Sequence, residues 1–148
     1  MFLRFGTLAS VCAGLLLCAA APPAGMGTGT LTVEVDNVRA AKGRVRLDVC
    51  PEGQFLKENC PHSASVAARP GLTQVVVTGL APGRYAVQAF LDENNNSKVD
   101  RNFLGLPTEG VGFSNDAKIR FGPPKFADAA FAFPGGQQTI RLKLRYFP

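Results

Sequence analysis

One histidine, His62, serves all 148 residues, and it stands beside Cys60 and Pro61 in a stretch that reads as a surface loop. No Gly-x-Ser-x-Gly elbow, His-Glu-x-x-His helix, Gly-rich phosphate loop or dinucleotide fingerprint occurs. That scarcity removes the usual histidine-based hydrolases and the nucleotide-dependent enzymes. Paired C-x-x-C spacing is missing too, so a zinc site has no ligand set. Past Gly25 no apolar run approaches the roughly 20 residues of a membrane-spanning helix. No stretch keeps a helical 3.6-residue period for a useful length, which excludes a helical bundle. Lys and Arg outnumber Asp and Glu by 16 to 11, but they are scattered. Arg141, Lys143 and Arg145 merely alternate with Ile140, Leu142 and Leu144, as on the wet face of a strand, and no element suited to docking nucleic acid accompanies them.

What is present begins with a processing segment. Arg4 gives a positive start, Phe5 to Ala21 is apolar and small, and Cys18-Ala19-Ala20-Ala21 offers a peptidase small side chains. Residues 1–24 are therefore expected to be a cleavable signal peptide, cut near Ala20 or Ala24 because Pro22 disfavours a cut directly after Ala21. Lipidation at Cys18 is disfavoured by bulky Leu17. Residues 25–30 form a short linker, and 31–148 suit a single domain, since domains most often run about 100–150 residues. Cys12 and Cys18 leave with the leader. Cys50 and Cys60 remain, an even pair bound for an oxidising periplasmic or extracellular compartment, where a disulfide is the expected state.

Gly and Pro, 16 and 11 in number, favour turns over long helices. Between the turns the chain alternates. Leu31, Val33 and Val35 interleave with Thr32, Glu34 and Asp36, and Val45, Leu47 and Val49 with Arg44, Arg46 and Asp48, which predicts two strands joined as a hairpin. Leu72 to Thr78 and Arg84 to Leu91 are further strands, separated by the Leu80-Ala81-Pro82-Gly83 turn. Ala129 to Phe133 and Thr139 to Phe147 complete the set, with Ala117 to Phe121 as an added short edge strand. About seven strands with almost no helix predict an all-β fold, an antiparallel β-sandwich of immunoglobulin-like or transthyretin-like kind, with a β-barrel as runner-up. Pro51 to Pro61 is a loop with Phe55-Leu56 as an apolar plug beneath the disulfide. The long Gly/Pro/Phe-rich stretch from Arg101 through Phe126 is too apolar for a solvated tail. It is expected to be ordered and packed over one end of the sandwich.

Three stretches resemble a known family: Gly79-Leu80-Ala81-Pro82-Gly83-Arg84-Tyr85, then Asp92-Glu93-Asn94-Asn95-Asn96, then Pro107-Thr108-Glu109-Gly110-Val111-Gly112-Phe113-Ser114-Asn115 with Phe121-Gly122-Pro123-Pro124. Together they resemble domain of unknown function 2141, a bacterial family of small exported proteins, from about Leu31 to the end. The resemblance implies an envelope location and a sandwich similar in appearance to transthyretin-like or carboxypeptidase-regulatory modules. It implies no catalytic residue. Ser97 stands where the family pattern has Gly.

Two constellations could carry function. Asp92, Asn94, Asn96 and Asp100 occupy positions 1, 3, 5 and 9 of a loop, with the Lys98 carbonyl between, which is the spacing of a calcium loop. Position 12 is Phe103, so Glu109 is the candidate to close the shell. The bland reading is an Asx-rich turn that bonds its own backbone. The second constellation is Phe113, Asn115, Asp116 and Arg120, apolar walls with polar groups that would suit a ligand, or simply a packed loop. The expectation is a non-enzymatic exported module of the bacterial envelope, with weak structural Ca²⁺ as its one possible cofactor and an unidentified envelope protein or small ligand as partner. The alternatives are an envelope glycan hydrolase using Asp and Glu carboxylates and an assembly partner docking by an edge strand.

Overall fold

The computed structural model describes residues 27–148. The expected signal peptide and the residues Cys12 and Cys18 lie outside the described residues.

The chain forms eight strands in two facing sheets: β1 (Gly29–Val38), β2 (Arg44–Cys50), β3 (His62–Ala67), β4 (Gly71–Leu80), β5 (Gly83–Asp92), β6 (Val111–Phe113), β7 (Phe131–Phe133) and β8 (Gln137–Lys143). One sheet has the order β4-β1-β8; the other runs β3-β2-β5-β6, with β7 paired to the start of β5. This is the all-β sandwich that the alternation predicts. Leu31, Val33 and Val35 from β1, Val45, Leu47 and Val49 from β2, and Val87 and Leu91 from β5 meet between the sheets, each with at most 1% of its surface exposed. Burial of that order stabilises by about 1.5–3 kcal/mol for each such side chain.

The expected hairpin of the first two strands is corrected by the structure. β1 pairs with β4 antiparallel and with β8 parallel, whereas β2 pairs with β3 and β5. The intervening residues carry the chain from one sheet across to the other. Asn37 and Gly43 supply positive φ angles of 61° and 72° for that bend. Gly43 is also forced by space, since a Cβ there would lie 1.9 Å from the Asp92 carbonyl oxygen. Two strands were not expected. β3 begins at His62, where the sequence predicts a loop, and β6 lies inside the long stretch. Conversely, Ala117–Phe121 forms no strand, and Ala129 ends a four-residue helix, α1 (Phe126–Ala129), ahead of β7.

The Leu80-Ala81-Pro82-Gly83-Arg84-Tyr85 signature has a local cause. Tyr85 Oη donates to the Ala81 carbonyl at 2.8 Å, pinning the turn that feeds β5, and a side chain at Gly83 would crowd the Tyr85 ring.

The long stretch does not sit over one end of the sandwich as expected. It covers part of the outer face of the larger sheet and builds a second small core there from Cys50, Phe55, Ala86, Phe113, Ala117, Phe126 and Ala129. Phe55 stands edge-on to Phe113 and Phe126, with centroids 5.9 and 5.8 Å apart, a favoured aromatic geometry. The Cys50–Cys60 disulfide borders this cluster. Phe55 is buried as the expected plug, but Leu56 faces solvent.

One seam of the sandwich is closed by backbone. Val111 and Arg145 exchange hydrogen bonds of 2.9 and 2.8 Å, tying β6 to the tail of β8. Close passage there explains two glycines: a Cβ at Gly110 would fall 2.5 Å from the Tyr146 ring, and one at Gly112 would fall 2.7 Å from the Lys143 carbonyl oxygen. Because the obstacle at Gly112 is backbone, Gly112→Ala is expected to destabilise the domain by about 2 kcal/mol or more. Urea unfolding followed by far-UV circular dichroism checks this; an unchanged midpoint would show that the seam opens freely.

Candidate functional site

β5 ends at Asp92, on the outer face of its sheet, and Arg46 of β2 lies diagonally across the ladder. Asp92 has no exposed surface. A buried carboxylate must be paired, and this one is fully engaged. Its Oδ2 accepts from Arg46 Nε at 2.6 Å and from the Ser97 N–H at 2.9 Å, while Oδ1 accepts from the Asn96 N–H at 3.0 Å. Burial pushes the Asp92 pKa up, but the hydrogen bonds from Arg46, Ser97 and Asn96 and the Arg46 charge outweigh it and hold the group below its ordinary value.

The rest of the loop folds onto Asp92. Asn94 Oδ1 accepts from the Asn96 N–H at 3.2 Å, and Asn96 Oδ1 from the Lys98 N–H at 2.9 Å, two Asx turns in succession. The amides of Asn94 and Asn96 donate to the two oxygens of Asp100. Asn95 and Ser97 take φ values of 57° and 64°. Ser97 therefore occupies, with a side chain, a left-handed position that suits Gly.

Glu109 arrives from the long stretch and spans the loop's two ends. Oε1 accepts from the Glu93 N–H at 3.0 Å and Oε2 from the Asp100 N–H at 3.2 Å. It is buried, and burial raises its pKa; the hydrogen bonds from Asp100 and Glu93 oppose this, and the negative charges of Asp100 and Asp92 reinforce it. The structure thus gathers Asp92, Asn94, Asn96, Asp100 and Glu109 into one network, with Lys98 contributing its N–H. Among the described residues, no group of three or more His, Cys, Asp or Glu side chains is arranged to hold a metal ion. Arg46 is the residue that sequence reasoning passed over, because alternation placed it on a wet face.

The second constellation separates. Phe113 is buried in the outer core. Asn115 donates to the Ala130 carbonyl at 2.8 Å, and Asp116 Oδ1 accepts from the Lys143 N–H at 2.8 Å. Ser114 was missed, yet it joins these residues to the sheet: its Oγ accepts from the Val87 N–H at 2.8 Å and donates to the Ala129 carbonyl. Of the four, only Arg120 has no partner among the described residues, and it lines an open depression with Lys118, Phe121 and Lys125.

The segment that carries the Asx loop, the Glu109 clamp and the Ser114 tie lies wholly within a match to a bacterial family model, described as an uncharacterized protein conserved in bacteria, that spans residues 33–141. The chain belongs to the DUF2141 family. No curated protein and no solved structure matches it. In this DUF2141 chain the matched range holds the residues that close the Asx loop and cross the seam. No helix among the described residues is long and apolar enough to cross a membrane.

The two buried carboxylates respond to pH in opposite directions. Asp92→Asn is expected to cost about 2 kcal/mol at neutral pH by leaving Arg46 without its counter-charge, a value kept low because that arginine is partly solvated. The Asp92 contribution is present above its ordinary pKa of 3.8 and is lost as pH falls through the depressed folded value. The gap between wild type and Asp92→Asn should therefore close on acidification. Glu109 has the reverse sign. Its stabilisation is full below its ordinary 4.5 and is lost as pH rises through the raised folded value, so wild type should gain on Glu109→Gln as pH drops from 7 to 4.5. Urea midpoints at three pH values test both. Separately, Ser97→Gly should raise stability by up to about 1 kcal/mol by relieving the left-handed side chain, read as a higher melting temperature.

Proposed function

We propose that this DUF2141 protein is a non-enzymatic module exported to the periplasm or cell exterior, where it works by binding or by structural support. One observation carries the reading. The side chains that could do chemistry are spent on holding loops, while apolar side chains stand in water at the tip of a braced loop. Asn102 Oδ1 accepts from the N–H groups of both Leu104 and Leu106, and further bonds run from Asn102 N–H to the Leu106 carbonyl, from Gly105 N–H to the Asn102 carbonyl and from Thr108 N–H to the Asp100 carbonyl. Held in that frame, Phe103 is 95% exposed and Leu104 68% exposed. Adjacent apolar residues displayed by a rigid loop suit a contact surface. The disulfide supports export, since such bonds persist in oxidising compartments.

The test has two arms. Purified protein incubated with envelope glycans should release no reducing ends; turnover that vanished in Asp100→Asn or Glu109→Gln would replace this reading with the hydrolase. Phe103→Ser with Leu104→Ser should leave folding stability within about 0.5 kcal/mol of wild type, as for surface positions generally, while abolishing retention on immobilised, lipid-free envelope proteins. Unchanged retention would remove the loop tip from the function.

A second reading, weak Ca²⁺ in the Asp92 loop, is favoured by one feature. Glu109 is buried beside Asp92 and Asp100, and among the described residues only Arg46 faces this acidic group as an ion-pair partner. The donors fit a hard cation in kind: carboxylates of Asp92, Asp100 and Glu109, amide oxygens of Asn94 and Asn96, and the Lys98 carbonyl. Arg46 in contact with Asp92 would limit affinity to about 10⁻⁴–10⁻³ M. Calcium at 10 mM should then stabilise by about 1.4–2.7 kcal/mol, seen as a rise in melting temperature that Asp100→Asn removes. A melting curve indifferent to calcium would leave the loop to its own hydrogen bonds.

A further inference from the structure

The segment from Lys118 to Lys125 differs from every other loop described above. It carries three cations, Lys118, Arg120 and Lys125, and no acid. The two ion pairs among the described residues are Arg46–Asp92 and Arg141–Glu34, so these three have no ion-pair partner there. They surround a depression of about 680 Å³, walled by Pro123 and Pro124 and open to solvent, with Asp128 as the one acid in its lining. Phe121 stands at its rim with its whole surface exposed.

Three cations outnumber the one acid at the depression, and Asp128 and the nearby Asp116 are each held in place by a backbone N–H. Asp128 accepts from the Lys125 N–H at 3.2 Å, and Asp116 from the Lys143 N–H at 2.8 Å. Arg84, on the adjoining strand, lies 5.4 Å from the Phe126 ring and adds a fourth positive charge nearby. The segment is anchored beneath by Ile119, packed on the outer core, and by buried Phe126. Its cations and its phenylalanine are thus presented from a fixed base.

We propose that this surface docks on an anionic lipid bilayer, with Lys118, Arg120 and Lys125 on headgroup phosphates and the Phe121 ring in the interfacial layer. Charge complementarity favours that occupant. An exposed Phe buries favourably at the boundary between headgroups and acyl chains, and basic side chains near an anionic leaflet each add about fivefold in affinity. A small soluble anion would satisfy the cations but leave Phe121 in water, and so open a depression would enclose it poorly. The proposal goes beyond the binding-module reading, which rests on Phe103 and Leu104, and each can fail without the other.

The experiment is vesicle co-sedimentation of the protein expressed from its full sequence, with phosphatidylcholine vesicles and with vesicles containing about one third phosphatidylglycerol. All variants share the first 26 residues, so any contribution from them cancels. Binding should favour the anionic vesicles and weaken as salt is raised from 0.1 to 1 M, where the Debye length falls from about 10 to about 3 Å. Arg120→Glu with Lys125→Glu should lower affinity at least twenty-fivefold, and Phe121→Ser at least tenfold. Val76→Ser, which alters another exposed apolar residue, on β4, should leave binding unchanged. Equal binding to both vesicle types, or indifference to either Lys118–Lys125 variant, would overturn the proposal. Full displacement by millimolar glycerol phosphate would also overturn it, by assigning the cations to a soluble phosphate ester; capture of a protein partner by Phe121 with no vesicle binding would do the same.

Discussion

A carboxylate shut away from water has to be answered on every side, and Asp92 is answered by residues that nothing else would bring together. Arg46 comes from the neighbouring strand, and the Asn96 and Ser97 N–H groups come from the loop that follows. Because these bonds are charge-assisted and buried, their loss would leave unpaired charge rather than a merely loosened turn. The loop's shape follows from them. Once Asp92 holds Ser97, the chain must pass through left-handed geometry at Asn95 and Ser97, and the two asparagines turn onto Asp100. Glu109 then bridges both ends from outside, so the loop's closure depends on a residue that the sequence places on its far side.

Glu109 also explains why the second half of the long stretch is fixed. It is followed at once by Gly110 and Gly112, which let the tail of β8 pass, and by Ser114, which takes a backbone hydrogen bond from β5 that would otherwise be orphaned. Loop clamp, seam and outer core are thus consecutive along one short run of chain. A motif of this kind constrains backbone placement. The chemistry left available lies on the side chains between its fixed points: Phe103 and Leu104 before it, and Lys118, Arg120 and Phe121 after it.

The strand positions and their inward faces were readable from alternation, since Val33, Leu47 and Val87 each follow a period of two and each is fully or nearly fully buried. The cysteine pair was readable from compartment logic, and the ordered state of the long stretch from Phe113 and Phe126, which are buried, whereas Phe103 and Phe121, equally apolar, face water. Pairing was not readable. Alternation fixes which side of a strand is wet without naming its neighbour, so β1 and β2, adjacent in sequence, were joined as a hairpin although a bend at Asn37 and Gly43 sends them to different sheets. β3 escaped because His62, Ser63, Ala64 and Ser65 have little apolar contrast; it exists through its ladder to β2. The Asp92 loop was found by its oxygen spacing, but Arg46 was not, since their meeting depends on the β2–β5 register.

That register bears on what the outer face can do. Residues of β2 and β5 that alternate away from the core would ordinarily be a solvated polar surface, yet at one end Arg46 and Asp92 pair there, and at the other Cys50 and Ala86 lie under the outer core. Between them Asp48 joins Ser63 and Gln88 by hydrogen bonds of 2.6 and 3.0 Å. This central part of the face is therefore satisfied by its own side chains, and a ligand landing on it would have to displace those bonds without gaining apolar contact. Loop tips carry no such cost. Their exposed rings lose ordered water on contact, and their backbone is already fixed, so little conformational entropy remains to be lost. Recognition through the edges of the loops, rather than across the sheet, is what the distribution of bonded and unbonded groups favours.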